Sequence, residues 1–507
     1  MGAIIGAPAA HDRHRLGRMA KLLSSLSALA RSASTVLACA LALGPPVDAA
    51  SAPLRPAAEL PAPVAQALRQ AGLPRESLAV VVVPIEEGQS PRLSWQGDRA
   101  MNAASVMKLA TTFAALELLG PAYTWNTPVF VQGAMRDGTL HGNLYLRGSG
   151  DPGLVVEQLW LLLRRVQAHG IHTIAGDIVV DSSAFADVDR DPAAFDGEPL
   201  RPYNAAPDAF LANFKSLVLD LVPDAPAGLA RIQATPPMAG LSVQASVALA
   251  PAGTPCGDWR AQMRLNLSDP AHLVFEGRYP AACGARSWAL APPQPELFGA
   301  RAVAGTWLAL GGRLAGMARR GKVPDGLSPL FVHRSVTLAQ VVQSINKFSN
   351  NVMAQQVFLT LGLEASGMGS PETARAALNH WWRRRMGAAA PPRVDNGAGL
   401  SREARISAAA LALMLQRAWA SPVMPELVAS LPIVGVDGTL RRSRSRAVGA
   451  AHLKTGSLQD ALAIAGYVLG DDGRRWIVVA IVNDAQAAAA RPVLDALIDW
   501  TSASAQR

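Results

Sequence analysis

The chain has 507 residues, 50% hydrophobic and 17% charged, which excludes a disordered protein and leaves enough apolar material for about two to four domains with their own cores. Its 47 Lys+Arg against 38 Asp+Glu give a formal net charge of +9, an excess that suits an anionic envelope and falls short of a nucleic-acid footprint.

In chain order, the first fifty residues stand apart. Arg13, Arg15, Arg18 and Lys21 precede the apolar run LLSSLSALARSASTVLACALALG, which ends at Pro45-Pro46 and the small residues VDAASA. Basic start, apolar middle and small-residue end are the layout of a secretory signal, read over 1–50, with cleavage after Ala49 or Ala52 and Met19 as an alternative start. Arg31 interrupts the run, which disfavours a retained membrane anchor, and Leu37 fits poorly two positions before Cys39 in a lipoprotein signal. The protein is therefore expected in the periplasm or outside the cell, with no membrane span in its mature form. Export also leaves Cys256 and Cys283 as the two thiols of the mature chain in an oxidising compartment, where a disulfide between them is expected. A metal centre is not expected, because no CxxC or HExxH pattern occurs and the nine histidines lack ligand spacing.

After a proline-rich lead, LAVVVVPIEEG and PRLSWQG read as a strand pair turning at Glu87-Gly88. A helix follows, capped by Asn102, apolar through Leu119 and stopped by Gly120-Pro121, with Ser105 in its first turn, where free N–H groups favour negative charge. Residues 129–334 read as an inserted β-rich region of two small lobes, with NLYLRG, GDIVVD and AHLVFEG as strand pieces between Gly and Pro turns. Helical periodicity returns at TLAQVVQSINKFSNNVMAQQVFLTLG, and IAGYVLGDDGRRWIVVAIVND makes a hairpin around Asp472-Gly473 before a final helix. Residues 53–128 and 335–507 are expected to form one domain around that insertion.

Lysine is scarce: Lys21, Lys108, Lys215, Lys322, Lys347 and Lys454 are the six in the chain. Where arginine is the default cation, a lysine marks a place for an amine that can lose its proton. Lys108 follows Ser105 at the i+3 spacing that puts both on one helix face, and a serine hydroxyl is a weak nucleophile until a base stands beside it. Burial and a second cation, Lys454, would lower the Lys108 pKa enough for that task. The spacing alone is weak evidence, since Ser344-Ile345-Asn346-Lys347 satisfies it too. The ordered set is stronger: Ser105-Val106-Met107-Lys108, then Ser349-Asn350-Asn351, then Lys454-Thr455-Gly456.

With that set in place, the sequence from about 55 to 500 resembles the class C low-molecular-mass penicillin-binding proteins, the D-alanyl-D-alanine carboxypeptidase/endopeptidase family. LYLRGSGDPGL, YNAAPDAF, DNGAGLSR, VGVDGTLRR and KTGSLQDALAIAGYV are similar to that family's other blocks. The resemblance implies an α/β transpeptidase-like domain, an antiparallel sheet flanked by helices, carrying two small β-rich inserted domains. It implies Ser105 as the acylated nucleophile, Lys108 as its base, Ser349 as the proton relay and Asn351 as the residue that holds the substrate amide and orients Lys108. Lys454 and Thr455 would bind the terminal carboxylate, Gly456 would let the substrate lie close, and the N–H groups of Ser105 and Ser457 would form the oxyanion hole. Arg402 would bind a side-chain carboxylate, and Ala398 stands where the family usually has serine. The implied partners are peptidoglycan peptides as substrates and β-lactams as inhibitors, with no cofactor and no nucleic acid. A β-lactam hydrolase or esterase on the same scaffold, and a non-catalytic wall-binding protein, stay as alternatives.

Other conspicuous residues take plainer readings. His380-Trp381-Trp382-Arg383-Arg384-Arg385 reads as a packed helix end with a solvated basic turn, RRSRSR at 441–446 as a solvated loop, and His452 as a strand residue. Asp196 and Glu198 are solvated acids first and ligands for a substrate amine second.

Overall fold

The run Leu78–Pro84 shows why no polar–apolar alternation marks the first strand: every residue in it is buried. Leu78, Val80 and Val82 join one hydrophobic cluster, while Ala79, Val81 and Val83 join another on the opposite face. The strand lies inside a five-stranded antiparallel sheet in the order Ala451–Ser457, Ala461–Leu469, Arg475–Asn483, Leu78–Pro84, Leu93–Trp95. A sheet covered on both faces selects continuous apolar strands. Residues 59–187 and 191–503 are described by the computed structural model of this chain. The export signal read at 1–50 lies outside them.

One face of the sheet is covered by the helices Ala62–Gln70 and Arg491–Ser502. The other carries a larger layer that includes Leu338–Phe348, Asn351–Ser366, Pro371–Met386 and Ala408–Trp419 around Lys108–Leu119. That central helix is buried continuously from Lys108 to Leu116, which is why its sequence is apolar all round and rich in alanine. Gly120 ends it at φ +82°. Ser105 sits one element earlier than the sequence suggests, in a 3-10 turn, Ala104–Met107, that feeds the α-helix. Asn102 supports this entry from outside: its Oδ1 accepts from the Ala104 N–H at 2.9 Å, and its backbone exchanges hydrogen bonds with Asn483 at 2.8 Å.

Between 126 and 334 the described residues form two larger hydrophobic clusters and a small one of Phe130, Tyr145, Val179 and Val323. The first lies on a mixed sheet in which Thr139–Arg147 and Ile178–Asp181 pair in parallel, bridged by the helix Val156–Ala168, with Phe298–Ala309 packed into the same cluster. The strand-only reading of this region omitted both helices. The second surrounds an antiparallel sheet that includes Leu217–Asp224 and Leu229–Thr235. Cys256 and Cys283 are joined there as a disulfide, with Cα atoms 4.8 Å apart. No helix among the described residues is long and apolar enough to cross a membrane.

Candidate active site

A cleft of about 970 Å³ opens along the edge strand Ala451–Ser457, and Ser105, Ser349, Asn351, Thr455, Gly456 and Ser457 line it. The edge strand and the Ser105 turn approach too closely for any side chain at 456. A Cβ there would stand 2.4 Å from the Ala103 carbonyl oxygen and 3.0 Å from the Ser105 nitrogen, so glycine is required.

Behind the cleft wall lie two lysines with no exposed surface, Lys108 and Lys454. Lys108 Nζ is 2.8 Å from Ser105 Oγ, 2.6 Å from Asn351 Oδ1 and 2.6 Å from the Ala398 carbonyl oxygen. Burial, and then the charge of Lys454, hold the Lys108 pKa well below that of an ordinary lysine. Three acceptors are what an ammonium needs, whereas burial and a neighbouring cation favour the amine. A group balanced in this way can take a proton and return it. Lys454 Nζ lies 2.9 Å from Ser349 Oγ and 2.6 Å from the Thr455 carbonyl oxygen, and burial lowers its pKa to about 7.

Ser349 reaches Lys454 because it caps the helix Leu338–Phe348 in the left-handed region, at φ +58°. A non-glycine residue pays about 1–3 kcal/mol for that conformation, which here turns the hydroxyl from the helix axis toward the edge strand. Asn350 Oδ1 then caps the next helix by accepting from the Met353 N–H at 3.0 Å, so Asn351 enters on its first turn and points back at Lys108.

All of Ser105, Lys108, Ser349, Asn351, Lys454, Thr455, Gly456 and Ser457 are thus gathered at one cleft. Arg402 also lines it; its Nη2 donates to the Phe195 carbonyl at 3.1 Å and its guanidinium lies 5.3 Å from the Phe195 ring centroid. Asp196, next in the chain, faces the same space and accepts from Tyr203 Oη and Asn204 Nδ2, each at 2.8 Å. Partial burial pushes its carboxyl up, but these bonds outweigh that and hold it below the usual range. Glu198 is instead paired with Arg201 at 3.4 Å. At 398 the group offered to the site is the backbone carbonyl, while the alanine methyl is buried in the helix layer.

Sequence reasoning missed Thr439, whose Oγ1 lies 2.7 Å from Thr455 Oγ1, and Asp437, which accepts from Lys347 Nζ at 2.6 Å. Both sit in VGVDGTLRR, so the signal was the block itself, without a role for its members. Among the described residues, no group of His, Cys, Asp and Glu is arranged to hold a metal.

Over residues 60–504 the sequence matches the D-Ala-D-Ala carboxypeptidase 3 (S13) family. A D-alanyl-D-alanine carboxypeptidase from Actinomadura sp. (strain R39) is 27% identical over 425 residues, 80% of this chain and 77% of that protein. The D-alanyl-D-alanine carboxypeptidase DacB of Haemophilus influenzae is 24% identical over 403 residues, 77% of this chain and 82% of that one. The crystal structure of penicillin binding protein 4 from Haemophilus influenzae superposes with a TM-score of 0.71 at 21% identity, covering 87% of this chain and 99% of its own, which shows a shared fold. The family match spans all but the outermost described residues, and the chain belongs to the D-Ala-D-Ala carboxypeptidase 3 (S13) family of serine-type carboxypeptidases.

Proposed function

We propose that the protein is exported and cleaves the peptide bond after D-alanine in peptidoglycan stem peptides through an acyl-enzyme on Ser105. The observation that carries this reading is the Lys108 amine, fully buried, without a carboxylate partner among the described residues, and 2.8 Å from the Ser105 hydroxyl. Lys108 takes the Ser105 proton as Oγ attacks the penultimate D-alanyl carbonyl. The N–H groups of Ser105 and Ser457 hold the oxyanion. Ser349, hydrogen-bonded to Lys454, passes a proton to the leaving nitrogen as the C–N bond breaks and is reprotonated at the expense of the Lys108 ammonium, which returns to the neutral amine. Water then attacks the ester, giving a proton to the neutral Lys108 amine, which passes it to Ser105 Oγ as the C–O bond breaks, and the shortened peptide leaves as its acid, which ionises to a carboxylate. Lys454 and Thr455 hold the carboxylate of the departing D-residue.

Asp196 and Arg402 extend the reading to the acyl side. Arg402 bonds the carbonyl of the residue preceding Asp196, so an anion and a cation stand side by side and match a side chain that ends in both an amine and a carboxylate. The segments 53–128 and 335–507 form the catalytic domain in this reading, with 129–334 inserted; the separate hydrophobic clusters of the latter support that division. Incubating the mature protein with labelled penicillin and with stem peptides tests the proposal. A stoichiometric adduct mapped to Ser105, with D-alanine released from the peptides, is expected. Rapid hydrolysis of the penicillin without an accumulating adduct would replace it with a β-lactam hydrolase.

A further inference from the structure

The cleft does not stop at the carboxylate-binding strand. Past Thr455 it continues along Thr439, Arg442 and Ser443 to Arg491 and Asp495 at the start of the last helix, Arg491–Ser502. The whole cleft, acyl side included, holds about 970 Å³, and a single D-alanine held at Lys454 and Thr455 gives the residues beyond Thr439 nothing to bind.

The segment that builds this end is RRSRSR, and its alternation has a structural cause. Ser443 Oγ donates to Asp495 Oδ1 at 2.7 Å and Ser445 Oγ to Asp499 Oδ1 at 2.6 Å, so the serines clamp the segment to the last helix and the arginines between them face outward. Arg446 pairs with Asp499 at 3.3 Å. Arg442 and Arg491 are exposed, line the cleft, and have no ion-pair partner among the described residues. The other end of the segment is fixed by the Lys347–Asp437 pair, and Gly438, at φ +54°, packs so tightly on the Lys347 carbonyl that a Cβ would lie 2.6 Å from its oxygen. Two unpaired guanidinium groups, Arg442 on a segment clamped at both ends and Arg491 on the first turn of the helix that clamps it, make a preorganised anion site rather than a loose basic tail.

We propose that Arg442 and Arg491 form a leaving-group subsite for a peptide that carries carboxylates on the amine side of the scissile bond. The substrate that fills the cleft is then two peptides joined through D-alanine, and the departing half is held by its acid groups. The inference rests on the acyl-enzyme reading above, and the test separates the two. Three reactions are compared in the full mature protein: acylation by penicillin, cleavage of a dimeric peptide with free carboxylates on the leaving half, and cleavage of the same dimer with those carboxylates amidated. The wild type should cleave the free-acid dimer with a kcat/KM about tenfold above the amidated one, the scale of two partly exposed charge pairs, and added salt should shrink the ratio. In the Arg442→Ala/Arg491→Ala variant the ratio should fall toward one, with the loss on the free-acid dimer far exceeding any change in penicillin acylation. Arg442→Lys should keep most of the ratio, because its charge remains. Equal cleavage of the two dimers by the wild type overturns the subsite, as does a double variant that loses the same factor in all three reactions. Absence of any penicillin adduct at Ser105 overturns the acyl-enzyme reading, and the subsite falls with it.

Discussion

Ser105-Val106-Met107-Lys108 and Ser344-Ile345-Asn346-Lys347 have the same spacing and end in lysines of similar burial, 0% and 7% exposed. Their surroundings differ. Lys108 is surrounded by a hydroxyl, an amide oxygen and a backbone carbonyl, with a second cation near. Lys347 is drawn away from Ser344 to a carboxylate, Asp437, at 2.6 Å. Partial burial pushes the Asp437 carboxyl up, but the hydrogen bond and charge of Lys347 overcome it and hold the pKa below its ordinary value. Lys215 repeats that second pattern with Asp208 at 2.9 Å. Spacing therefore brings a serine and a lysine within reach, and the chemistry follows from what else the amine touches: a buried ammonium beside a carboxylate braces the fold, and one beside neutral oxygens and another cation is available as a base.

The largest test of that difference is at the first pair. Ser105→Ala should abolish the penicillin adduct, and Lys108→Arg should lower acylation by about 10⁴-fold or more, because a guanidinium keeps the charge and cannot act as the base. Adduct formation is read by intact mass and peptide mapping. An active Lys108→Arg variant would remove the distinction between the two lysines.

The next effect concerns the cation that tunes Lys108. Lys454→Met should reduce acylation by about 10²–10³-fold, since it deletes a preorganised positive charge from the substrate site. It should also shift the rising limb of the residual acylation rate to higher pH, because the Lys454 charge is one of the two causes that lower the Lys108 pKa. Stability carries a separate signature. The folded pKa of Lys454, about 7, lies below the unfolded value of 10.5, so between these limits the unfolded chain binds the proton and the folded chain does not. Wild-type stability should therefore rise with pH across that window, with a slope from this residue approaching about 1.4 kcal/mol per unit. Denaturant midpoints should show Lys454→Met more stable than the wild type at pH 6 and losing that advantage by pH 10. A flat difference between the two proteins would show that Lys454 keeps its proton in the fold.

These tests bear on what the sequence could and could not show. The order of the three motifs was legible because each is local: Ser105 and Lys108 are three residues apart, and Lys454, Thr455 and Gly456 are contiguous. The Ser349–Lys454 contact spans 105 positions and depends on a left-handed φ at Ser349, neither of which a local pattern encodes. The strand Leu78–Pro84 was found but its two-sided burial was not, since an unbroken apolar run says nothing about which faces are covered. The helix Val156–Ala168 did leave a signal, with Leu159, Leu162, Leu163 and Val166 at helical spacing and buried, yet the surrounding Gly and Pro turns drew the reading toward strands.

A moderate effect is expected at the second pair. Asp437→Asn keeps an oxygen for the Ile433 N–H, a bond of 2.8 Å in the wild type, but strands the buried Lys347 ammonium. Lys347→Met leaves a carboxylate whose side chain is 37% exposed and can recruit water. Asp437→Asn should thus be the more damaging, at about 2–3 kcal/mol against about 1 kcal/mol for Lys347→Met, both figures below the cost of breaking a fully buried pair because water screens the carboxylate. Both should slow acylation less than Lys454→Met does, through the Thr439–Thr455 contact that the pair positions. Urea midpoints and acylation rates check the order. Lys347→Met costing more than Asp437→Asn would mean that the carboxylate, and not the ammonium, is the group that needs its partner.

The smallest effect is expected at Ser344, where the motif is repeated without its surroundings. Ser344 lies inside the helix Leu338–Phe348, half-buried, and its neighbour at i+3 has turned to Asp437, so its hydroxyl has no base to activate it. Helix-interior serine competes with the backbone for hydrogen bonds, and alanine does not, so Ser344→Ala should lie within about 0.5 kcal/mol of the wild type and lean toward stabilisation. Penicillin should label it at the wild-type rate. The informative variant is the combination with Asp437→Asn, which frees Lys347 from its carboxylate while leaving Ser344 three residues away. If spacing and an unpaired buried lysine were sufficient, the Asp437→Asn protein carrying Ser105→Ala would gain a weak adduct at Ser344, and adding Ser344→Ala would remove it. No adduct at Ser344 is expected, because that residue has neither the edge strand nor the close approach of Gly456 to a serine nitrogen that the Ser105 turn provides.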